Sequence, residues 1–128
     1  MADLRTQVLV VGGGHAGYEA ALASARMGVK TTLVTLDSNQ IGRLPCNPAV
    51  GGIAKSHLVS EVDALGGEIA KNADFTGIQY RMLNTRKGPA VQSNRIQCDK
   101  NAYPLRIQKI LMQQENLTII DDMVLSID

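Results

Sequence analysis

Val8-Leu9-Val10-Val11-Gly12-Gly13-Gly14-His15-Ala16-Gly17 is the stretch on which the reading of this chain turns. An apolar, β-branched run stops at a G-x-G-x-x-G loop, and an alanine-rich helical pattern begins at once. That order is the strand–loop–helix opening of a dinucleotide-binding βαβ unit, in which main-chain N–H groups at a helix N-terminus receive a pyrophosphate. In that reading Gly12 permits the tight turn, Gly14 lets the backbone approach the phosphates, and Gly17 lets the helix lie close to the strand. The competing reading is a glycine-rich turn that holds no ligand.

Working outward, Val8–Val11 is the first strand, and His15–Met27, rich in alanine, is a helix that lies close to a sheet. Gly28 stands where a left-handed residue closes a helix. Thr31–Val34 follows as a second strand, parallel to the first because a helical crossover joins them. Residues 36–53 read as a long loop, which in a compact domain suggests a functional one. A helix is expected from Ala54 to Leu65 with Leu58, Val62 and Leu65 on one face, then a break at Gly66-Gly67 and a helical turn over Glu68–Asn72. Ile78–Leu83 reads as a strand and Lys87-Gly88-Pro89-Ala90 as a turn. A further amphipathic helix is predicted over Asp99–Gln114, its apolar side supplied by Leu105 and Ile107–Met112. Strands are expected at Leu117–Ile120 and Met123–Ile127. The alternation gives an α/β fold, a single domain without internal repeat or marked boundary.

Composition agrees with a globular chain: of 128 residues 45% are apolar and 20% charged, and mean hydropathy is near zero. No apolar run approaches the roughly 20 residues that span a bilayer, and Val8–Val11 is too short to serve as a secretory segment. A cytoplasmic location without membrane attachment is therefore expected. Two cysteines, Cys46 and Cys98, make no disulfide framework. The net charge of +1 is uneven: Arg81 to Lys109 holds seven basic residues and one acid, leaving the remainder at −5. Such a segment suits phosphate contacts, or equally a solvated face.

The dinucleotide fingerprint usually ends its second strand with an acid that bonds the ribose. Thr35 occupies that place, with Asp37 two residues later. Either Asp37 turns inward or Thr35 and main chain hold the sugar. Cys46 has no second cysteine nearby, which argues against disulfide-reductase chemistry. A single thiol in the loop Cys46-Asn47-Pro48-Ala49-Val50-Gly51-Gly52, near Lys55, is a candidate nucleophile; the other reading is a small buried residue packed under that loop. His57 reads as a helix-surface residue. Neither has metal-ligand spacing with other residues, so no metal site is expected.

Gly12–Ala21, Ala25-Arg26-Met27-Gly28, Cys46–Ile53, His57-Leu58-Val59, Glu61–Gly67, Gly77-Ile78-Gln79 and Lys87–Val91 together resemble the start of the MnmG (GidA) family. These are flavin-dependent tRNA uridine 5-carboxymethylaminomethyl modification enzymes, and the resemblance covers essentially the whole chain. It implies a Rossmann-like FAD/NAD(P)-binding domain of the glutathione-reductase type, of which residues 1–128 are the N-terminal part. It implies FAD held by Gly12, Gly13, Gly14, His15, Ala16 and Gly17, with Val124 resting main chain against the adenine. Cys46 then matches a family cysteine beside the flavin. NADH as reductant, methylene-tetrahydrofolate as one-carbon donor, tRNA as substrate, the GTPase MnmE as partner and a homodimer are further implications. Gln92 departs from the basic residue often found there. Family members run several times longer, so the chain alone is expected to be inactive. The alternatives are a folate- and FAD-dependent tRNA uridine methyltransferase and a non-catalytic nucleotide-binding module.

Overall fold

The computed structural model describes residues 3–127. The chain divides into two compact units, residues 1–42 with 107–128 and residues 43–106. Nothing in the sequence marks that division: one of its two crossings falls in irregular chain at residues 42–43 and the other inside a helix at residues 106–107.

The first unit is built on parallel strands. β1 (Val8–Val11) pairs with β2 (Thr31–Thr35), Val8 opposite Thr31 and Val11 opposite Val34. β2 pairs in turn with β6 (Leu117–Asp121), Thr31 opposite Leu117 and Thr35 opposite Asp121, giving the order β1-β2-β6. The middle strand is accordingly the most buried, with Thr31, Thr32 and Leu33 inside. Between β1 and β2 runs α1 (His15–Arg26), the expected crossover. Tyr18, Ala21, Leu22 and Ala25 form its inner face at helical spacing, and the alanines let it lie close to the strands. Gly28 closes it in the left-handed region at φ +82°, as expected.

The second unit is an antiparallel sheet backed by helices. Its strands are β3 (Ala49–Gly51), β4 (Gly77–Leu83) and β5 (Ser93–Cys98), in the order β3-β5-β4. α2 (Lys55–Ala64) and α3 (Ile69–Thr76) pack against it. Arg106 ties α3 to α4 (Ala102–Gln113): its guanidinium lies 3.4 Å from the Glu68 carboxylate, donates to Asn72 Oδ1 at 3.2 Å, and sits over the Phe75 ring at 4.2 Å. Asn72, fully buried, donates back to the Tyr103 carbonyl at 2.9 Å, so both ends of its amide are satisfied.

Four expectations change. β3 and β5 are strands where the sequence suggested loop or nothing; both are short or polar and exist by pairing. Leu58 and Leu65 of α2 are exposed, and the helix instead turns Ser56 and Val59 toward a hollow shared with Val50 and Ile96. In α4 the buried positions are Tyr103, Ile107 and Leu111, four apart, which leaves Leu105 and Met112 outside. Residues 123–127 form no strand; Val124 is half-buried in irregular chain after β6. Among the described residues no helix is long and apolar enough to cross a membrane.

Candidate functional site

The glycine loop joins β1 to α1 in the first unit. Gly12 turns the chain at φ +100°, which an L side chain rarely adopts, and its N–H donates to the Val34 carbonyl at 2.8 Å. Gly17 sits where any Cβ would run into the Gly12 carbonyl, so α1 can start this close to β1 only with glycine there. On one side of the loop a Cβ on Gly13 would meet Ile41 Cγ1 at 2.7 Å and Thr35 Oγ1 at 2.9 Å. Gly14 is different: a Cβ built there meets no atom within 4 Å.

Gly14 is also the residue that caps α1. It does so without a side chain, and the first turn of the helix holds no acid. The first turn of α1 therefore receives no side-chain acceptor from its cap and carries no carboxylate, and the space beside the cap residue is open. Partial positive charge at a helix N-terminus, together with such donors, is what an anionic phosphate needs. The residues present fit a dinucleotide diphosphate. His15, at the first helical position, lies with its ring 5.3 Å from that of Tyr18, and burial holds its imidazole below the usual value of 6.5.

At the mouth of the sheet, the end of β2 carries Thr35 where the dinucleotide fingerprint usually has an acid. Thr35 lies against Gly13 there. Asp37 accepts from Asn39 N at 2.9 Å and Asn39 Nδ2 at 3.0 Å, capping a short turn over Ser38–Gln40. Those bonds, the backbone one first, hold its carboxyl below the usual 3.8. Asp121, opposite Thr35, accepts from Ser38 N at 2.7 Å and Ser38 Oγ at 3.0 Å. Sequence reading missed Asp121, because only the β2–β6 register brings it beside the end of β2.

Cys46 lies in the second unit, in the irregular chain before β3, and is exposed rather than packed under the loop. Cys98 is the buried cysteine; desolvation raises its thiol above the ordinary 9.0. His57 is exposed on α2, as expected. Among the described residues no group of three His, Cys, Asp or Glu could hold a metal ion.

A parallel sheet whose first strand runs through a glycine turn into a close-packed helix defines a Rossmann-like FAD-binding domain, here its N-terminal part. Residues 7–128 match the family described as Glucose inhibited division protein A, and the chain belongs to that family. It is 58% identical over 125 residues to the tRNA uridine 5-carboxymethylaminomethyl modification enzyme MnmG of Sulfurihydrogenibium sp. (strain YO3AOP1), covering 98% of this chain and 20% of that protein. Among solved structures, Aquifex aeolicus GidA in its form II crystal superposes with a TM-score of 0.88 at 57% identity, over 91% of this chain and 19% of that one. The p-nitrophenol 4-monooxygenase PnpA from Pseudomonas putida DLL-E4 shares the fold alone, with a TM-score of 0.56 at 17% identity over 93% of this chain and 32% of that one. The chain spans about a fifth of the length of the MnmG relatives it matches.

Proposed function

We propose that this chain is the dinucleotide-cradling portion of an FAD-dependent enzyme that modifies tRNA. The reaction in this reading adds a carboxymethylaminomethyl or aminomethyl group to C5 of the wobble uridine. Methylene-tetrahydrofolate is the one-carbon donor, NADH the reductant, the GTPase MnmE the partner, and a homodimer the working assembly. Relatives named as tRNA uridine 5-carboxymethylaminomethyl modification enzymes, 58% identical to this chain, support the choice of substrate.

The observation that carries the cofactor reading is the open, side-chain-free start of α1 at Gly14. Gly12, Gly13, Gly14, His15, Ala16 and Gly17 are the residues that would hold the FAD diphosphate, and Val124 is the candidate main-chain contact for its adenine. When bound, the flavin supplies the redox and one-carbon chemistry that side chains lack. The chain's own part is to orient that group and neutralise its phosphates through main-chain donors. Cys46 is the candidate nucleophile for C6 of the uracil ring, and its exposure leaves the thiol open to a substrate.

Gly14→Val tests the reading cleanly. Backbone angles at Gly14, φ −69° and ψ −179°, suit valine, and a Cβ there meets no protein atom within 4 Å, so the fold should persist. In the protein expressed from its own gene, the variant should purify with an unchanged circular dichroism spectrum, no flavin absorbance and no tRNA-modifying activity. A full complement of FAD in the folded variant would overturn the assignment.

A further inference from the structure

The sheet of the second unit has two unlike faces. One carries Val50, Tyr80 and Ile96 and is backed by α2 and α3, with the Tyr80 hydroxyl donating to the Asp74 carbonyl at 3.1 Å. The other carries Gln79, Arg81 and Leu83 from β4, with Arg95 and Gln97 from β5, and these five residues line a groove of about 190 Å³. Register places Arg81 directly opposite Arg95 and Gln79 directly opposite Gln97.

Two guanidinium groups facing each other across an antiparallel pair repel, and a sheet gains nothing from holding them there. Both arginines are exposed, and among the described residues no carboxylate pairs with either. From Gly77 to Cys98 the sequence contains Arg81, Arg86, Lys87 and Arg95 and no acidic residue at all. On the far side of β5 the neighbours of Gln97 and Arg95 are Ala49 and Gly51, too small to close the groove from β3. Asp74 of α3 lines an adjoining hollow with both arginines but pairs with neither. This open strip, with two guanidinium groups, amide donors at its end and no acid on its own strands, is complementary to a chain of phosphodiesters.

We infer that this face of β4 and β5 is a seat for the RNA phosphate backbone, with Arg81 and Arg95 straddling one or two phosphates and Gln79 and Gln97 donating to their oxygens. This rests on the tRNA reading above and adds to it a location and the groups that make the contact. An anion between the arginines relieves the repulsion that the bare sheet bears, which ties the register itself to the ligand.

The test uses the protein expressed from its own gene and unfractionated bacterial tRNA, with binding followed by fluorescence anisotropy across a salt series. Arg81→Gln with Arg95→Gln should weaken binding about 25- to 60-fold at roughly 0.1 M salt and lower the slope of log K against log salt by about 1.4–1.8, the counterions of two phosphates. FAD content should stay at the wild-type level. Arg81→Lys with Arg95→Lys, which keeps both charges, should retain the wild-type slope and guards against a fold defect in the neutral variant. An unchanged slope in the folded Gln variant would overturn the inference and leave the tRNA reading standing. Loss of FAD with tRNA affinity intact would likewise overturn it, since the arginines would then serve the cofactor. Wild-type protein that does not bind tRNA would sink both.

Discussion

Gly14 caps α1 and Gly17 lies three residues on in its first turn, yet they are glycines for opposite reasons. Gly14 looks onto space that the protein leaves open, whereas a Cβ on Gly17 is blocked by the Gly12 carbonyl. Under the proposed cofactor reading, substitution at the first is expected to displace the ligand and substitution at the second to damage the fold. Gly17→Ala forces α1 away from β1, and an overpacked contact of this kind costs about 1–3 kcal/mol. Its urea midpoint should fall accordingly, while Gly14→Val should unfold at the wild-type midpoint when both are measured without FAD. Equal midpoints for the two variants would contradict this division of roles. Cys46 and Cys98 divide in a similar way: the exposed thiol is open to chemistry and the buried one is held protonated by desolvation.

Helix starts show how the same problem, unbonded N–H groups, is solved by different means. α1 begins at a bare glycine. α4 begins under Asp99, whose carboxylate accepts from Asn101 N and Ala102 N, each at 2.8 Å. Those bonds, with Ala102 the larger cause, hold the Asp99 carboxyl below the usual 3.8. The folded state therefore binds its proton later than the unfolded chain as pH falls. The stabilisation is complete above about pH 3.8 and is lost as the pH drops through the lower folded-state value. Asp99→Asn keeps a capping oxygen but removes the charge, so its acid unfolding curve should be flatter than that of the wild type below pH 4, roughly, with near-equal stability at pH 7. A parallel pair of curves would show that the carboxylate does not titrate against α4. α2 and α3 also start without a side-chain cap, so the functional reading of α1 rests on the open space beside Gly14 and not on the missing cap.

Across the whole chain, large apolar side chains remain in solvent in both units. Leu36, Leu65, Phe75, Leu125 and Ile127 are each three-quarters or more exposed. A solitary exposed leucine is ordinary, and the expectation that this set is covered by further protein is open to direct test. Produced as these 128 residues and nothing more, the chain should bind an apolar dye strongly and elute as a species larger than its 13.7 kDa. Monomeric elution without dye binding would show that these side chains need no cover.

How far the fold was legible follows from how local each signal is. β1, α1 and β2 are set by neighbours in sequence: an apolar run, a glycine turn, alanines at helical spacing and a closing glycine. β5 was not legible, since Ser93-Asn94-Arg95-Ile96-Gln97-Cys98 has no strand pattern and becomes one only between β3 and β4. The inner faces of α2 and α4 were misjudged for a related reason. Periodicity offers several apolar stripes, and the partner surface chooses among them, Val59 over Leu58 and Tyr103 with Ile107 and Leu111 over Leu105 and Met112. The sequence alone determined the glycine cradle, because each step there depends on the size and backbone freedom of residues within ten positions. Tertiary structure alone decided that Asp121 stands beside the end of β2, that Cys46 is exposed, and that Arg81 faces Arg95. Such juxtapositions are products of strand register and packing, which join residues far apart in the chain and leave no trace in either one's neighbours.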